Sequence, residues 1–382
     1  MKFISIGESL QYDYNDARII KYICTVNEIV EKKEIRNLSI EDLKKILTAE
    51  GEPAFRAKQI LEWLWMKSAR TFDEMSNLPK TLREKLNTRF TINAINIHQS
   101  QHSSDKTIKN TFRLFDNNII EGVLIPTSER MTACVSSQVG CSLSCKFCAT
   151  GYMDRKRNLD AGEIYDQVVL IDQQAKANYD IPLSNIVYMG MGEPLLNYAN
   201  VLRSIDRLTA EDGLNMSPKR ITVSTAGIAK MIKKLGDDQV KFNLALSLHA
   251  ANDTKRNEIM PINEQNTLKA LAEALKYYFL KTKNPVTYEY ILFADFNDSL
   301  EDAAELAKFC RHIPCKVNII EYNPISFASF QNAEEDKTEA FAAYLKKQGV
   351  ITNIRRSRGK DIDAACGQLA NKNMQAGHSS GL

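Results

Sequence analysis
No stretch of this 382-residue chain approaches the roughly 18 consecutive apolar residues that a membrane span requires. Its first apolar stretches are broken by Glu8, Asp13 and Asp16, which argues against a secretory leader. A cytoplasmic location is therefore expected, with no membrane partner. A dominant charge is also missing. The 50 Lys and Arg residues nearly balance 47 Asp and Glu, leaving a formal +3, so any nucleic-acid contact has to rest on local patches. Nor is there a disulfide framework. Of eight cysteines, three crowd into one short loop, which suits metal or redox chemistry better than secreted staples. With 44% hydrophobic and 25% charged residues, the composition is that of a globular protein. The length suits an α/β barrel carrying a small accessory module.

The crowded loop is Gly140-Cys141-Ser142-Leu143-Ser144-Cys145-Lys146-Phe147-Cys148-Ala149-Thr150-Gly151, a C-x3-C-x2-C spacing. Three thiolates leave one iron of a four-iron cubane open to a small chelating molecule. Incidental cysteines, or a structural zinc loop wanting a fourth ligand close by, are the other readings. The spacing, with Phe147 just before the last cysteine, resembles the signature of radical S-adenosylmethionine (SAM) enzymes. That resemblance implies that Cys141, Cys145 and Cys148 ligate one 4Fe-4S cluster with SAM on its open iron. Electron transfer to SAM then yields methionine and a 5'-deoxyadenosyl radical.

Along the chain, residues 1–36 read as an N-terminal extension without an assignable role, with a short helix expected near Asp16 to Lys33. Residues 37–92 form a small helical accessory domain. Ser39-Ile40-Glu41-Asp42 is a capping box, Gly51 stops that helix, Pro53 starts the next turn, and Thr71-Phe72-Asp73-Glu74 is a second box. Its Lys80, Arg83 and Lys85 either dock RNA or form a solvated face. In the linker 93–127, the segments 111–115 and 119–125 flank Asp116-Asn117-Asn118, a hairpin signal that places Glu121 in an apolar strand. In 128–370, strand candidates at 132–136, 186–189, 221–224, 242–248, 287–293 and 317–321 alternate with helix candidates at 161–177, 198–210, 227–235, 267–282, 299–312 and 336–348. Asp160 with Glu163, Ser299 with Asp302, and Gly349 mark helix ends. Six such units predict a parallel sheet with right-handed crossovers. Curled, it is a partial (β/α)6 barrel; a flat doubly wound sheet is the competing α/β architecture. Residues 371–382 form a polar tail, expected to be flexible.

A barrel gathers chemistry at the C-terminal ends of its strands. The cysteine loop follows the first candidate strand and Gly190-Met191-Gly192-Glu193-Pro194 the second, Ser224 and His249 end the third and fourth, and Asn323 follows the sixth. The glycines permit close backbone approach and Glu193 offers an acceptor for an ammonium group. Ser247 and His249 share one side of a strand end, suited to a ribose or carboxylate.

Several separated blocks carry a more specific resemblance. They are Cys134 with the cysteine loop, Gly190 to Asn197, Ser247-Leu248-His249, Met260-Pro261-Ile262-Asn263, Tyr322-Asn323-Pro324 and Asp361 to Leu369. Over roughly Leu38 to Leu369 the chain resembles the radical SAM RNA methyltransferases that act on carbon 2 of adenosine, the RlmN family. The resemblance implies SAM contacts at Gly192, Glu193, Ser224, Ser247, Leu248, His249 and Asn323. It implies that Cys366 becomes an S-methylcysteine, that its methylene radical adds to the base, and that Glu121 accepts the ring proton. Cys134 would then attack the Cys366 sulfur, releasing product and leaving a transient disulfide for a thiol reductant to reset. A radical route fits the target, because the electron-poor amidine carbon of adenine cannot itself attack the methyl group of SAM. The implied partners are 23S rRNA, tRNA and an external electron donor; a monomer is expected. RNA would enter with its target base unstacked, its phosphates held by Arg355-Arg356-Ser357-Arg358-Gly359-Lys360 or by Arg155-Lys156-Arg157. Cys24, Cys310 and Cys315 are expected to pack. Two alternatives remain open at this point: the sister branch that methylates carbon 8, and a non-catalytic metal-stabilised RNA-binding module.

Overall fold
Local signals become element ends in the computed structural model, which describes residues 32–370. Cys24, nearly all of the helix expected near Asp16, and the tail from Asn371 lie outside the described residues. Ser39 and Asp42 exchange both capping bonds ahead of the helix Ile40–Ala49, and Gly51 leaves it at φ +76°. The helix Arg56–Trp65 buries Ile60, Leu61, Leu64 and Trp65, and Lys80–Arg89 buries Leu82 and Leu86. A short parallel pair, β1 (Lys33–Glu34) with β2 (Phe90–Thr91), completes this unit. Residues 33–36 are thus built into it rather than left in the extension. Buried Arg36 anchors the unit to the barrel. Its Nη1 donates to Asp166 Oδ1 at 2.8 Å and its Nε lies 3.2 Å from Glu34 Oε1. The guanidinium crosses the helix Ala161–Tyr179 at Gly162, where a Cβ would sit 2.5 Å from its Cζ.

The expected hairpin forms, with Asn117 at φ +62° in its turn, but it is not a free-standing linker. β3 (Asn96–His102), β4 (Ile108–Arg113) and β5 (Ile119–Pro126) run antiparallel, and β5 pairs antiparallel with β6 (Met131–Cys134). A separate antiparallel pair, β7 (Gln138–Val139) and β8 (Arg157–Asn158), follows. Then come β9 (Asn185–Tyr188), β10 (Ile221–Thr225), β11 (Asn243–Ser247), β12 (Val286–Leu292), β13 (Cys315–Glu321) and β14 (Ile351–Arg355). Among the described residues, ten strands make one sheet in the order β14-β13-β12-β11-β10-β9-β6-β5-β4-β3, parallel from β6 to β14. The six expected strand-helix units are present, with the helices Ala161–Tyr179, Tyr198–Thr209, Ala229–Asp237, Leu268–Thr282, Leu300–Cys310 and Glu335–Lys347. β14 is an added edge strand. Ile125 and Cys134 from one half of the strand order share a cavity wall with Ile320 and Arg355 from the other, so the sheet curls into a partial barrel and is not flat.

Candidate active site
The loop after β6 sets Cys141, Cys145 and Cys148 along one wall of a cavity of about 160 Å3 at the C-terminal ends of the parallel strands. β7 and β8 clamp its base. Gly140, at φ +76°, leaves no room for a side chain against Asp154 and Arg155. Leu143 and Phe147 pack inward on Ile259, Met260, Ile291 and Phe293, and the three half-buried thiols lie against that apolar wall. Burial pushes the Cys141 thiol up to about 11, and pushes Cys145 well above its ordinary value with added repulsion from Cys148 and Cys141. Such thiols ionise when a metal centre balances their charge. Among the described residues, no three His, Cys, Asp or Glu side chains are arranged to hold a metal ion. A cubane asks for something different, since each cysteine binds a different iron. Three mutually repelling thiols on one wall of an otherwise open cavity fit that demand.

The glycines after β9 serve packing as much as ligand approach. A Cβ on Gly190 would lie 2.7 Å from Ser136 Oγ, and one on Gly192, at φ +93°, would run into the Gln138 side chain. Glu193 is buried and lines the cavity. Its Oε1 accepts from the Leu195 amide at 3.0 Å and its Oε2 from the Ala226 amide at 2.8 Å, tying the ends of β9 and β10 together. The Ser224 and Ser247 hydroxyl oxygens lie 3.3 Å apart on the same wall. His249 Nδ1 accepts the Ile291 amide at 3.1 Å, so the neutral ring carries its proton on Nε2. Burial, helped by Arg256, pulls its pKa down to about 3, and Phe147 meets the ring edge-on at 4.7 Å.

Two expected SAM contacts are placed elsewhere. Strand alternation turns Leu248 into the main core. Its amide donates to Glu289 O at 3.0 Å and its carbonyl accepts from Arg256 Nε at 3.0 Å. Asn323 does not line the cavity; its Nδ2 donates to the Cys366 carbonyl at 3.2 Å.

That bond belongs to a set that lays the Cys366 segment over the cysteine loop. The Ala149 amide donates to Gly367 O at 2.7 Å, and Thr150 Oγ1 donates to Leu369 O at 2.6 Å. Gly367 permits this at φ +83°. Cys366 faces the main cavity and, with Cys134, an adjoining one of about 110 Å3. Both are free thiols. Burial pushes Cys134 up to about 12, with the charge of Cys366 adding and Arg355 opposing; Cys366, exposed to the two cavities, is raised by the protein walls that keep bulk solvent from its sulfur and eased by Arg355. Glu121 is placed outside the cavity lining. It is buried beneath this segment, its Oε2 accepting the Ala370 amide at 2.9 Å and its Oε1 lying 3.7 Å from Lys109 Nζ.

Two side chains matter beyond those read from the sequence, Arg256 and Glu289, and Arg355 has a place other than the phosphate contact expected of it. Arg256, fully buried, donates to Ala226 O at 2.6 Å, Asn263 Oδ1 at 2.5 Å, Leu248 O at 3.0 Å and Ser247 O at 3.3 Å, and its charge bears on Cys145. Glu289 and Arg355 both line the main cavity as a pair, 3.3 Å apart. Nothing in the local pattern marks Arg256, which sits in a short polar helix, Asp253–Ile259; a carboxylate inside the apolar run of β12 was the available signal for Glu289.

The basic run expected to hold phosphates is largely spent inside the protein. Arg356 pairs with Glu321 and Glu335, Lys360 with Glu321 at 2.7 Å, and Arg358 Nη2 donates to Pro126 O at 3.0 Å. In the accessory unit, Lys80 and Lys85 lie near Glu84 and Glu52, and Arg83 donates to Asp73 O.

Residues 33–92 match the family described as the ribosomal RNA large subunit methyltransferase N-terminal domain, and residues 135–308 match the radical SAM superfamily. The chain is 60% identical to a probable dual-specificity RNA methyltransferase RlmN of Cytophaga hutchinsonii, over 94% of this chain and 99% of that protein. It is 43% identical to the dual-specificity RNA methyltransferase RlmN of Nitratidesulfovibrio vulgaris, over 91% and 97%. A crystal structure of a radical SAM methyltransferase from Sphaerobacter thermophilus superimposes with a TM-score of 0.83 at 40% identity, covering 88% of this chain and 99% of that one.

Proposed function
The chain belongs to the RlmN-type radical SAM RNA methyltransferases, and on that ground we propose that it methylates carbon 2 of one adenosine in 23S rRNA, and of an adenosine in some tRNAs, through Cys366. The observation that carries the reading is the shared cavity. Cys134 and Cys366 open onto it together, with the Cys366 segment strapped across the three-cysteine loop.

When bound at Cys141, Cys145 and Cys148, the 4Fe-4S cluster with SAM supplies a single electron, a methyl group and a carbon radical. The protein's own groups do the rest. Ser224, Ser247 and the Nε2 proton of His249 present hydrogen-bonding groups to the cavity, and Phe147 with its apolar neighbours excludes water. The Cys366 thiolate accepts the methyl group on its sulfur. That S-methyl group gives up one hydrogen atom to the 5'-deoxyadenosyl radical, and the S-methylene radical so formed bonds to the ring carbon; the adduct then passes one electron to a one-electron carrier. Arg355, held by Glu289, faces both thiols and opposes the penalty that burial places on their ionisation. Glu121 takes the ring proton once the segment that covers it lifts. Cys134 then attacks the Cys366 sulfur; the S–S bond forms as the bond between that sulfur and the methylene carbon breaks, the carbon leaves with the electron pair and takes up a proton to become the methyl group, and a thiol reductant resets the pair.

Reconstituted enzyme given SAM, a reductant and a 23S rRNA fragment is expected to yield 2-methyladenosine on nucleoside mass spectrometry. 8-Methyladenosine would place the chain in the sister branch, and unmodified RNA would overturn the proposal.

A further inference from the structure
Large aromatic rings are normally withdrawn from water, yet a pair that begins one residue beyond the cavity-lining Gly151 stands out in it. Tyr152, at the end of the cysteine loop, and Phe327, in the loop after β13, are 47% and 57% exposed. Their rings stack on one another, with centroids 5.1 Å apart and planes 25° apart. Neither belongs to a hydrophobic core cluster. The pair is nevertheless fixed in place. Tyr152 donates its hydroxyl to Lys146 O at 3.1 Å, and the Phe327 loop is seated on the cysteine loop by Ile325 against Ala149 and Ala370.

The charge around this pair is unusual for the molecule. Residues 141–158 hold Lys146, Arg155, Lys156 and Arg157 against the single carboxylate of Asp154, a net +3 that equals the formal charge of the entire chain. Arg157 is committed to Asp116 and Glu163. Among the described residues, Lys146, Arg155 and Lys156 have no carboxylate partner within ion-pair distance. Arg155 and Lys156 donate only to the neutral side chains of Asn158 and Asn118. Where the run ending at Lys360 is neutralised internally, this one is left for something outside. Arg155 and Lys156 follow Tyr152 by no more than about 14 Å of extended chain, a span of about two nucleotides.

We propose that Tyr152, Phe327, Lys146, Arg155 and Lys156 form a docking platform for single-stranded RNA, on which a base flanking the target stacks while adjacent phosphates meet the three cations. The inference rests on the RNA-methyltransferase reading and adds where the strand lies and which part of it is held. Rigid exposed rings beside unpaired cations are the combination that binds an unpaired strand with little sequence preference. A base pulled from the helix for reaction leaves unstacked neighbours that need such a surface.

The test uses full-length reconstituted protein and a fluorescein-labelled single-stranded RNA of about a dozen nucleotides, read by anisotropy at several salt concentrations. The double variant Tyr152→Ala/Phe327→Ala is expected to weaken binding about tenfold with the salt dependence unchanged. The triple variant Lys146→Gln/Arg155→Gln/Lys156→Gln is expected to lower the slope of log affinity against log salt by about 2. Arg356→Gln/Lys360→Gln should leave that slope as it is. In all three, cluster absorbance should match wild type, and kcat at saturating RNA should hold within about twofold while KM follows Kd. Tyr152→Trp, which keeps a ring at that position, should bind the RNA as wild type does. Affinities and slopes unchanged in the first two variants, or a fall in kcat with KM unmoved, would overturn the platform while leaving the methyltransferase reading intact. A wild-type protein that neither binds nor methylates RNA would overturn both.

Discussion

Arg256→Met removes the one guanidinium that ties the ends of β10 and β11 to the turn after Asp253–Ile259. Four hydrogen bonds leave with it. From a charged donor each contributes about 1.5–3 kcal/mol, a gross loss of about 6–12 kcal/mol. Against this stands the cost of burying the guanidinium, several kcal/mol, which also shows in a pKa held down to about 10 by burial. Met fills much of the volume but withdraws a donor from the Ala226, Ser247 and Leu248 carbonyls, of which Leu248 O keeps the Ala250 amide at 2.7 Å. A net loss of about 3 kcal/mol follows, near the lower end of what breaking a buried charged contact costs. In urea this should move the apparent unfolding midpoint down by about 1 M. The second consequence is functional. Ser224 and Ser247 stand 3.3 Å apart because the strand ends behind them are braced, so SAM affinity measured by calorimetry should fall about tenfold. A midpoint within about 0.2 M of wild type, together with a SAM Kd within about twofold, would refute the reasoning.

Asp166→Ala should destabilise the protein by about 3–5 kcal/mol, since Arg36 stays buried with only Glu34 beside it; an unfolding free energy within about 1 kcal/mol of wild type would contradict the anchoring role. Gly190→Ala should cost about 1–3 kcal/mol through contact with Ser136 and the Val135 carbonyl, and an unchanged Tm would show that the wall can yield. Burial alone would raise the Glu321 carboxyl, but Lys360, the Ser357 amide and Arg356 hold it down to about 2; Thr107 and the Gly359 amide likewise hold Asp105 at about 2. Both folded values lie below the unfolded ones, so this stabilisation is present above about pH 4.5 and disappears as pH falls toward 2. Hydrogen-exchange protection of the Ser357 and Gly359 amides should therefore persist at pH 5 and be gone near pH 2. Protection already lost at pH 5 would mean that other contacts hold the segment.

Much of this architecture was legible because it is written locally. The boxes at Ser39, Asp160 and Ser299 sit at helix starts, and Gly349 leaves its helix at φ +78°. The buried parallel strands announced themselves as short apolar runs. β14 and β3 did not. Both are edge strands whose exposed faces carry polar residues, so neither shows the continuous apolar signal of a strand covered on two sides. For the site, spacing identified the three cysteines, and the strand ends identified Ser224, Ser247 and His249. What spacing cannot report is pairing across the fold. The run from Arg355 to Lys360 reads as free charge until Glu289, Glu321 and Glu335 are brought beside it by β12, β13 and the helix Glu335–Lys347. Glu121 likewise reads as an ordinary strand carboxylate until the chain near Ala370 folds over it.

The most direct test of the account compares Cys134→Ala with Cys366→Ala after reaction with SAM, a reductant and substrate RNA, by denaturing electrophoresis and intact mass. Cys134→Ala is predicted to accumulate a covalent protein–RNA adduct joined through the Cys366 sulfur, and Cys366→Ala to form none. Release of methylated RNA by Cys366→Ala would contradict the role given to that sulfur.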